Sequence, residues 1–239
     1  MWNRSELKDN AKNILKGNYW QAFIVSLIIL ITGGSHNHGE VGSSTGGTSG
    51  AEAGNALNFD YQIALIVGAV ILLIIALRII IGYALEVGGR KYFIKLSEGE
   101  SKFSYLGYVF STNNYFNVFM TMFLRSIYLI LWTLLLIIPG LIKFYAYRMV
   151  PYILADNPEI GHKRAIKLSN EMTQGEKWDI FILDLSFLGW FILGTLLFGI
   201  GILFVQPYYD STNAELYLKL RKEAIASGIT SNNELNIIN

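Results

Sequence analysis

The sequence predicts an all-α membrane protein, a polytopic helical bundle of about six transmembrane helices arranged as three helical hairpins. Hydrophobic residues make up 52% of the 239-residue chain and charged residues only 15%, against about 25% in a typical soluble domain. The apolar residues form runs of about 20 residues, the length that crosses a bilayer as a helix. Glycine-containing breaks divide two of these runs, and each divided run ends in a Pro-Tyr pair.

The two divided runs repeat one pattern of residues. They contain Trp132, Pro139-Gly140 and Pro151-Tyr152 in the first run, and Trp190, Gly199–Gly201 and Pro207-Tyr208 in the second. Because Pro and Gly interrupt helices, each break predicts a turn between the two helices of a hairpin.

We divide the chain into an amphipathic cytoplasmic segment (1–16), a transmembrane domain (17–222) and a polar tail (223–239). Residues 33–60 are rich in Gly, Ser and Thr, which predicts a flexible outer loop. An interfacial elbow is expected at 101–111, because its aromatic rings suit the membrane boundary. The predicted spans are approximately 17–34, 61–85, 116–138, 141–155, 179–197 and 200–220.

The distribution of basic residues favours six spans over four. With six, 15 of the 19 basic residues fall in cytoplasmic segments, namely 1–16, 90–102, 156–179 and 219–222. With four, two segments on the outer side would differ by six basic residues, which the positive-inside rule disfavours. We therefore expect a multi-pass protein of the cytoplasmic membrane with both termini in the cytoplasm.

Two helices outside the spans carry basic faces. Asn3 is expected to cap a helix that lies on an anionic membrane surface; a solvated basic lead-in and a signal peptide are the alternatives. Asn157 and Pro158 predict the start of a second helix that reaches Met172. Its basic residues are candidate contacts for anionic lipid headgroups, or simply a solvated face: Lys163, Arg164 and Lys167.

Four of the charged residues inside the predicted spans form a candidate intramembrane cluster: Arg125, Arg148, Asp184 and Asp210. An unpaired charge at the bilayer centre costs at least about 2.5–3.5 kcal/mol, so we expect Asp210 and Asp184 to pair with Arg125 or Arg148. Such pairs would act either as a structural clasp between hairpins or as the polar lining of a transport path. The clasp is favoured because no relay of titratable groups is visible.

The sequence lacks the residues that several kinds of chemistry require. The chain has no cysteine, which excludes disulfides and thiol catalysis, and its net charge of +1 gives no general attraction for nucleic acid. His36 and His38 could contact a metal but lie in the predicted flexible loop, and residues 42–46 match G-x-S-x-G without the strand and helix that a nucleophile elbow requires. We expect no enzymatic activity, cofactor or metal.

Residues spread over nearly the whole chain resemble the bacterial integral membrane proteins grouped as domain of unknown function 975. The resemblance implies a multi-helix protein of the cytoplasmic membrane and brings no reaction or ligand. The residues that carry it include Gly17-Asn18-Tyr19-Trp20, Trp132, Ile138-Pro139-Gly140, Asp156-Asn157-Pro158, Gly189-Trp190, Gly199-Ile200-Gly201, Pro207-Tyr208 and Tyr217.

Three functions are considered for this sequence, of which an intramembrane enzyme is the least favoured, because two of the three histidines lie in the predicted flexible loop. A non-enzymatic scaffold that binds the lipid bilayer and unidentified membrane protein partners is favoured, because motifs for nucleotides, metals and nucleophiles are missing. The alternative is a transporter of small solutes or peptides, since many transporters contain repeats with broken helices.

Overall fold

The computed structural model describes residues 2–32, 61–196 and 199–237, and this part of the chain is helical without strands. The predicted loop at 33–60, with His36 and His38, lies outside the described residues. In order, the elements are α1 (Arg4–Leu15), α2 (Tyr19–Thr32), α3 (Tyr61–Ser97), a 3-10 helix (Phe103–Ser111), α4 (Tyr115–Leu135), α5 (Ile137–Ala146), α6 (Val150–Asp156), α7 (His162–Met172), α8 (Lys177–Leu196) and α9 (Ile200–Ala226).

Three of the described helices are long and apolar enough to cross a membrane: Leu65–Ser97, Tyr115–Leu135 and Lys177–Leu196. A fourth candidate is added if α1 and α2, which are bent by 109° relative to each other, are counted as one span. The predicted spans 141–155 and 200–220 do not qualify, because α5 has only 10 residues and α9 is too polar. The count of six spans therefore stays a prediction.

Helix α1 starts as the sequence predicts but meets protein on its apolar face. The Asn3 side chain caps the helix by accepting a hydrogen bond of 2.9 Å from the Ser5 amide. Leu7, Ala11 and Leu15 are buried, and α1 packs along α9. Helix α9 therefore covers the apolar face of α1, and the location of α1 at a membrane surface stays a prediction.

Helix α3 extends beyond the predicted membrane span, which ends at residue 85, and passes through Gly88 and Gly89 without a break. A side chain at Gly88 would collide with the carbonyl oxygen of Leu106 in the 3-10 helix, and one at Gly89 would collide with Ile29 of α2. Glycine weakens a helix, but here it lets two neighbouring elements approach closely. The 3-10 helix occupies the position of the predicted elbow.

The chain reverses between α4 and α5 at Leu136, which is extended (φ −161°, ψ 139°). The predicted turn at Pro139-Gly140 is thus displaced by three residues, because proline fits the first turn of a helix, where its missing N–H is not needed. Gly140 allows the return: a Cβ there would lie 2.7 Å from the Thr133 Cα.

The predicted fourth span is divided into α5 and α6 by residues 147–149. The Ser169 hydroxyl on α7 bridges this break by donating to the Ala146 carbonyl (2.8 Å) and accepting from the Met149 amide (3.1 Å). Pro151 has no N–H, so it cannot donate to the carbonyl of Tyr147, four residues earlier. The Tyr147 carbonyl oxygen therefore lacks its usual helical donor and can accept a hydrogen bond from a side chain.

Helices α7 and α8 end near their predicted limits, but α7 begins at His162 rather than at Pro158. Asn157 does not cap it; its side chain closes a turn by accepting from the Glu159 amide at 2.8 Å. Gly199, in the left-handed region (φ +76°), precedes α9. Gly194 and Gly201 let α8 and α9 touch, because a Cβ at Gly201 would lie 2.6 Å from the Gly194 Cα.

Apolar side chains are distributed unevenly over the surface. Fully buried ones come mainly from the C-terminal part of α3 and from α6, α7 and α9, and include Tyr92, Tyr152 and Tyr217. Elsewhere large apolar side chains are exposed, as at Leu72 on α3, Leu134 at the end of α4 (82% exposed) and Trp190 on α8. Exposed apolar areas of this extent mark a surface that meets lipid or protein rather than water.

Candidate functional site

The buried part of the bundle holds three ion pairs, which we call the charge cluster: Arg90–Asp210, Arg125–Glu86 and Arg148–Asp184. Each arginine has a side chain no more than 4% exposed, and Asp210 is fully buried. Three positive and three negative groups give the cluster no formal net charge. Burying charge is costly, so neutrality and hydrogen bonding decide whether such a cluster is tolerated.

Asp210 joins three helices. One carboxylate oxygen accepts from an Arg90 guanidinium nitrogen of α3 at 2.8 Å, and the other accepts from the Ser26 hydroxyl of α2 at 2.7 Å. Gln206, one turn earlier on α9, donates to it at 3.2 Å. The carboxylate is thus held by one charged and two neutral donors, which offset the cost of its burial.

Arg148 lies in the break between α5 and α6 and makes the densest set of bonds in the cluster. Its guanidinium donates to both oxygens of Asp184 on α8, at 2.6 and 2.8 Å, in the paired geometry that makes arginine–carboxylate contacts strong. It also donates to the Tyr209 hydroxyl at 2.7 Å and to the Asn213 side-chain oxygen at 2.6 Å, both on α9. Tyr209 in turn donates to Asp184 at 3.0 Å.

Arg125 connects α4 to two other parts of the chain. Its Nε donates at 3.0 Å to the Tyr147 carbonyl, the oxygen that Pro151 leaves available. Another guanidinium nitrogen lies 3.9 Å from the Glu86 carboxylate on α3. This long contact makes it the loosest ion pair of the three.

The structure brings the four residues of the predicted cluster into one buried region but pairs them differently from the expectation in two cases. Arg148 does lie against Asp184. Asp210 and Arg125 do not pair with each other: Asp210 pairs with Arg90, and Arg125 lies beside Glu86. Glu86 was not predicted from the sequence, and Arg90 was placed in a cytoplasmic segment. Their spacing of four residues on a helix that extends to Ser97 places both on one buried face and could have indicated them.

A second polar group lies at the end of α6. Asp156 accepts from the Tyr217 hydroxyl at 2.7 Å and from Arg221 at 2.9 Å, and the Lys91 ammonium is 3.8 Å away. The rings of Tyr217 and Tyr152 stack at 5.2 Å, and Tyr152 faces the Arg90 guanidinium at 5.3 Å. These aromatic contacts connect the second group to the charge cluster.

The three candidate headgroup contacts on α7 differ in availability. Arg164 is occupied by Glu234 at 2.6 Å, by Glu171 at 3.0 Å and by the Ile229 carbonyl, which holds the C-terminal segment on α7. The Arg164 hydrogen bond lowers the pKa of Glu234 below its usual value. Lys167 lies 3.6 Å from Glu171, whereas Lys163 lines a cleft against α4 and α5.

Within residues 2–32, 61–196 and 199–237, no three histidine or acidic side chains are grouped so that they could hold a metal ion.

Comparison with known families identifies the group to which the sequence is related. The family described as Protein of unknown function (DUF975) matches residues 1–146 and 134–224, which together cover most of the chain. The chain belongs to this family. The resemblance found in the sequence is thereby confirmed. No curated protein and no solved structure matches the chain.

Proposed function

We propose that this member of the DUF975 family is a multi-pass protein of the cytoplasmic membrane that acts as a non-enzymatic scaffold. Membrane insertion is supported by the candidate spans and by apolar side chains that remain exposed along them. Transfer of a large apolar side chain from water to lipid contributes roughly 1.5–3 kcal/mol. The proposed sidedness, with both termini in the cytoplasm, is supported by the distribution of the basic segments.

The hairpin arrangement is supported by hydrogen bonds between consecutive helices. Arg125 and Tyr147 lie eleven positions before and after Leu136, and they are joined by a hydrogen bond. Asp184 on α8 and Tyr209 on α9 are also joined by a hydrogen bond. Contacts of this kind require that the second helix runs back along the first. The first hairpin would consist of α2 and α3, where the Arg78 guanidinium donates to the Ile31 carbonyl at 2.8 Å.

The observation that carries the scaffold assignment is the way the charge cluster is held. Arg148 makes four hydrogen bonds to two helices, and Asp210 accepts from three donors on three helices. A polar transport path needs groups that exchange partners with a solute or water during each cycle. Bonds that fix α2, α3, α8 and α9 to one another suit a clasp whose role is to keep the bundle in a single arrangement.

The scaffold and transporter functions predict different behaviour for Asp210→Asn. The purified variant and the wild type are reconstituted in proteoliposomes, and uptake of radiolabelled amino acids and short peptides is measured beside empty vesicles. Unfolding in detergent is measured on the same preparations. A scaffold gives uptake equal to that of empty vesicles for both proteins and a lower stability for the variant. Uptake by the wild type that Asp210→Asn abolishes, with stability unchanged, would establish transport instead.

A further inference from the structure

Helix α5 separates two clefts of different character. On one side, a cleft of about 230 Å³ between α4, α5 and α7 is lined mainly by basic and aromatic residues: Tyr128, Lys143, Tyr147, His162, Lys163 and Lys167. On the other side, a cleft of about 440 Å³ between α5 and α8 is apolar except for one lysine at its edge: Ile138, Leu141, Ile142, Tyr145, Lys177 and Phe181.

Three lysines around α5 carry charge that the described residues do not neutralise. Within residues 2–32, 61–196 and 199–237, Lys143, Lys163 and Lys177 form no ion pair with a carboxylate, unlike Lys167 with its Glu171 contact. Lys143 and Lys163 line the basic cleft together, and Lys177 lines the apolar cleft on the other side of α5. An anion beside Lys143 would replace the repulsion between like charges by attraction.

The position of Lys143 is fixed before any ligand binds. Its ammonium lies 5.2 Å from the centre of the Trp132 ring and 5.6 Å from that of Tyr147, and such cation–π contacts hold a charge in place. Trp132 belongs to the apolar exposed end of α4, so the ammonium sits where that apolar surface meets the polar surface of α7. Basic and aromatic side chains at such a boundary are the residues that meet lipid headgroups.

We propose that one anionic phospholipid binds around α5, with an acyl chain in the apolar cleft beside α8 and its phosphate at Lys143, between Lys163 and Lys177. The site rests on the membrane location proposed above. Charge complementarity selects an anionic headgroup, and the apolar cleft selects a lipid over free phosphate. The lipid would hold α5, α7 and α8 together where the described residues place no carboxylate against these three lysines.

The test counts lipids retained by the purified full chain. Wild type in mild detergent is titrated with phosphatidylglycerol or phosphatidylcholine, and bound lipid is measured by native mass spectrometry. The site variant combines Lys143→Gln, Lys163→Gln and Lys177→Gln. A control with the same loss of charge combines substitutions of three exposed lysines elsewhere: Lys16→Gln, Lys102→Gln and Lys222→Gln.

We expect phosphatidylglycerol to bind the wild type and the control roughly tenfold or more tightly than it binds the site variant, with phosphatidylcholine weak throughout. Leu141→Trp, which fills the apolar cleft, should weaken phosphatidylglycerol binding, and millimolar glycerol phosphate should not displace the lipid. Equal binding of both lipids, or equal losses in the site variant and the control, would overturn the site while leaving membrane insertion intact. Binding that glycerol phosphate displaces and Leu141→Trp does not affect would assign the cleft to a soluble phosphate instead.

Discussion

Removing one side of the Arg148–Asp184 pair should destabilise the fold far more than removing both. Asp184→Leu leaves a guanidinium in a site where its side chain is only 3% exposed, with neutral Tyr209 and Asn213 as remaining partners. Loss of one partner of a buried ion pair costs about 3–5 kcal/mol. Arg148→Met leaves the Asp184 carboxylate without its arginine and should cost a similar amount.

The double variant Arg148→Met/Asp184→Leu buries no charge, so its cost reduces to the bonds that Tyr209 and Asn213 lose, about 1–3 kcal/mol. The expected coupling between the two substitutions is therefore several kcal/mol. Stability is measured by reversible unfolding in mixed micelles with increasing denaturing detergent, followed by tryptophan fluorescence. Lys219→Met serves as a control, because its 2.7 Å pair with Glu6 is exposed and should contribute less than about 1 kcal/mol.

Single substitutions at Arg148 and Asp184 that cost no more than this control, or costs that simply add in the double variant, would refute the clasp. Either result would mean that water or a mobile partner already compensates each charge, as in a hydrated path.

Three further predictions follow from other contacts. Arg125→Glu should reduce the amount of folded protein that accumulates in membranes. Adding Glu86→Arg should partly restore that amount, because the two side chains are neighbours, whereas adding Asp210→Arg should not. Gly140→Ala should lower the free energy of unfolding by about 1–3 kcal/mol, because the new Cβ would overlap α4. Gly189→Ala should be neutral or slightly stabilising, because the space around Gly189 is open. Unfolding in mixed micelles measures both effects. The pKa of Glu234 is lowered in the fold, so its contact with α7 is fully present above the carboxyl's usual pKa and is lost as the pH falls through the lowered value. The protection of the amides in residues 229–237 against hydrogen exchange, after correction for the intrinsic pH dependence of exchange, should fall on acidification in the wild type, and Glu234→Gln should remove that dependence.

The sequence predicted the helical class and most helix limits because long apolar runs and strong breakers are local signals. Helix α4 was placed within a few residues, and Met172 was the predicted end of α7. The turn at Pro139-Gly140 was misplaced since proline and glycine there serve the start of α5 and its contact with α4, respectively. Whether a break residue turns the chain or begins the next helix depends on the packing partner, which the sequence alone does not specify.

The composition of the charge cluster was only partly predictable for the same reason. Depth along a span indicated which charges need partners, but the choice of partner depends on how helices cross. Tyr115, the first residue of α4, donates to the Ile80 carbonyl in the middle of α3, so the two helices are offset. Because of this offset, Arg125 lies beside Glu86, and Asp210 forms its ion pair with Arg90. Similarly, the sequence did not show that Arg164 is already paired, because its partner Glu234 lies 70 positions further along the chain.

The most direct test of membrane insertion uses single cysteines, which need no prior substitution because the chain contains none. Leu134→Cys and Ile192→Cys lie on the exposed apolar surface, and Lys222→Cys lies on an exposed polar one. Each is spin-labelled in proteoliposomes, and collisions with oxygen and with an aqueous nickel chelate are compared. We predict that the labels at 134 and 192 collide mainly with oxygen and the label at 222 mainly with the chelate. Equal access of the chelate to all three would contradict insertion of these helices into the bilayer.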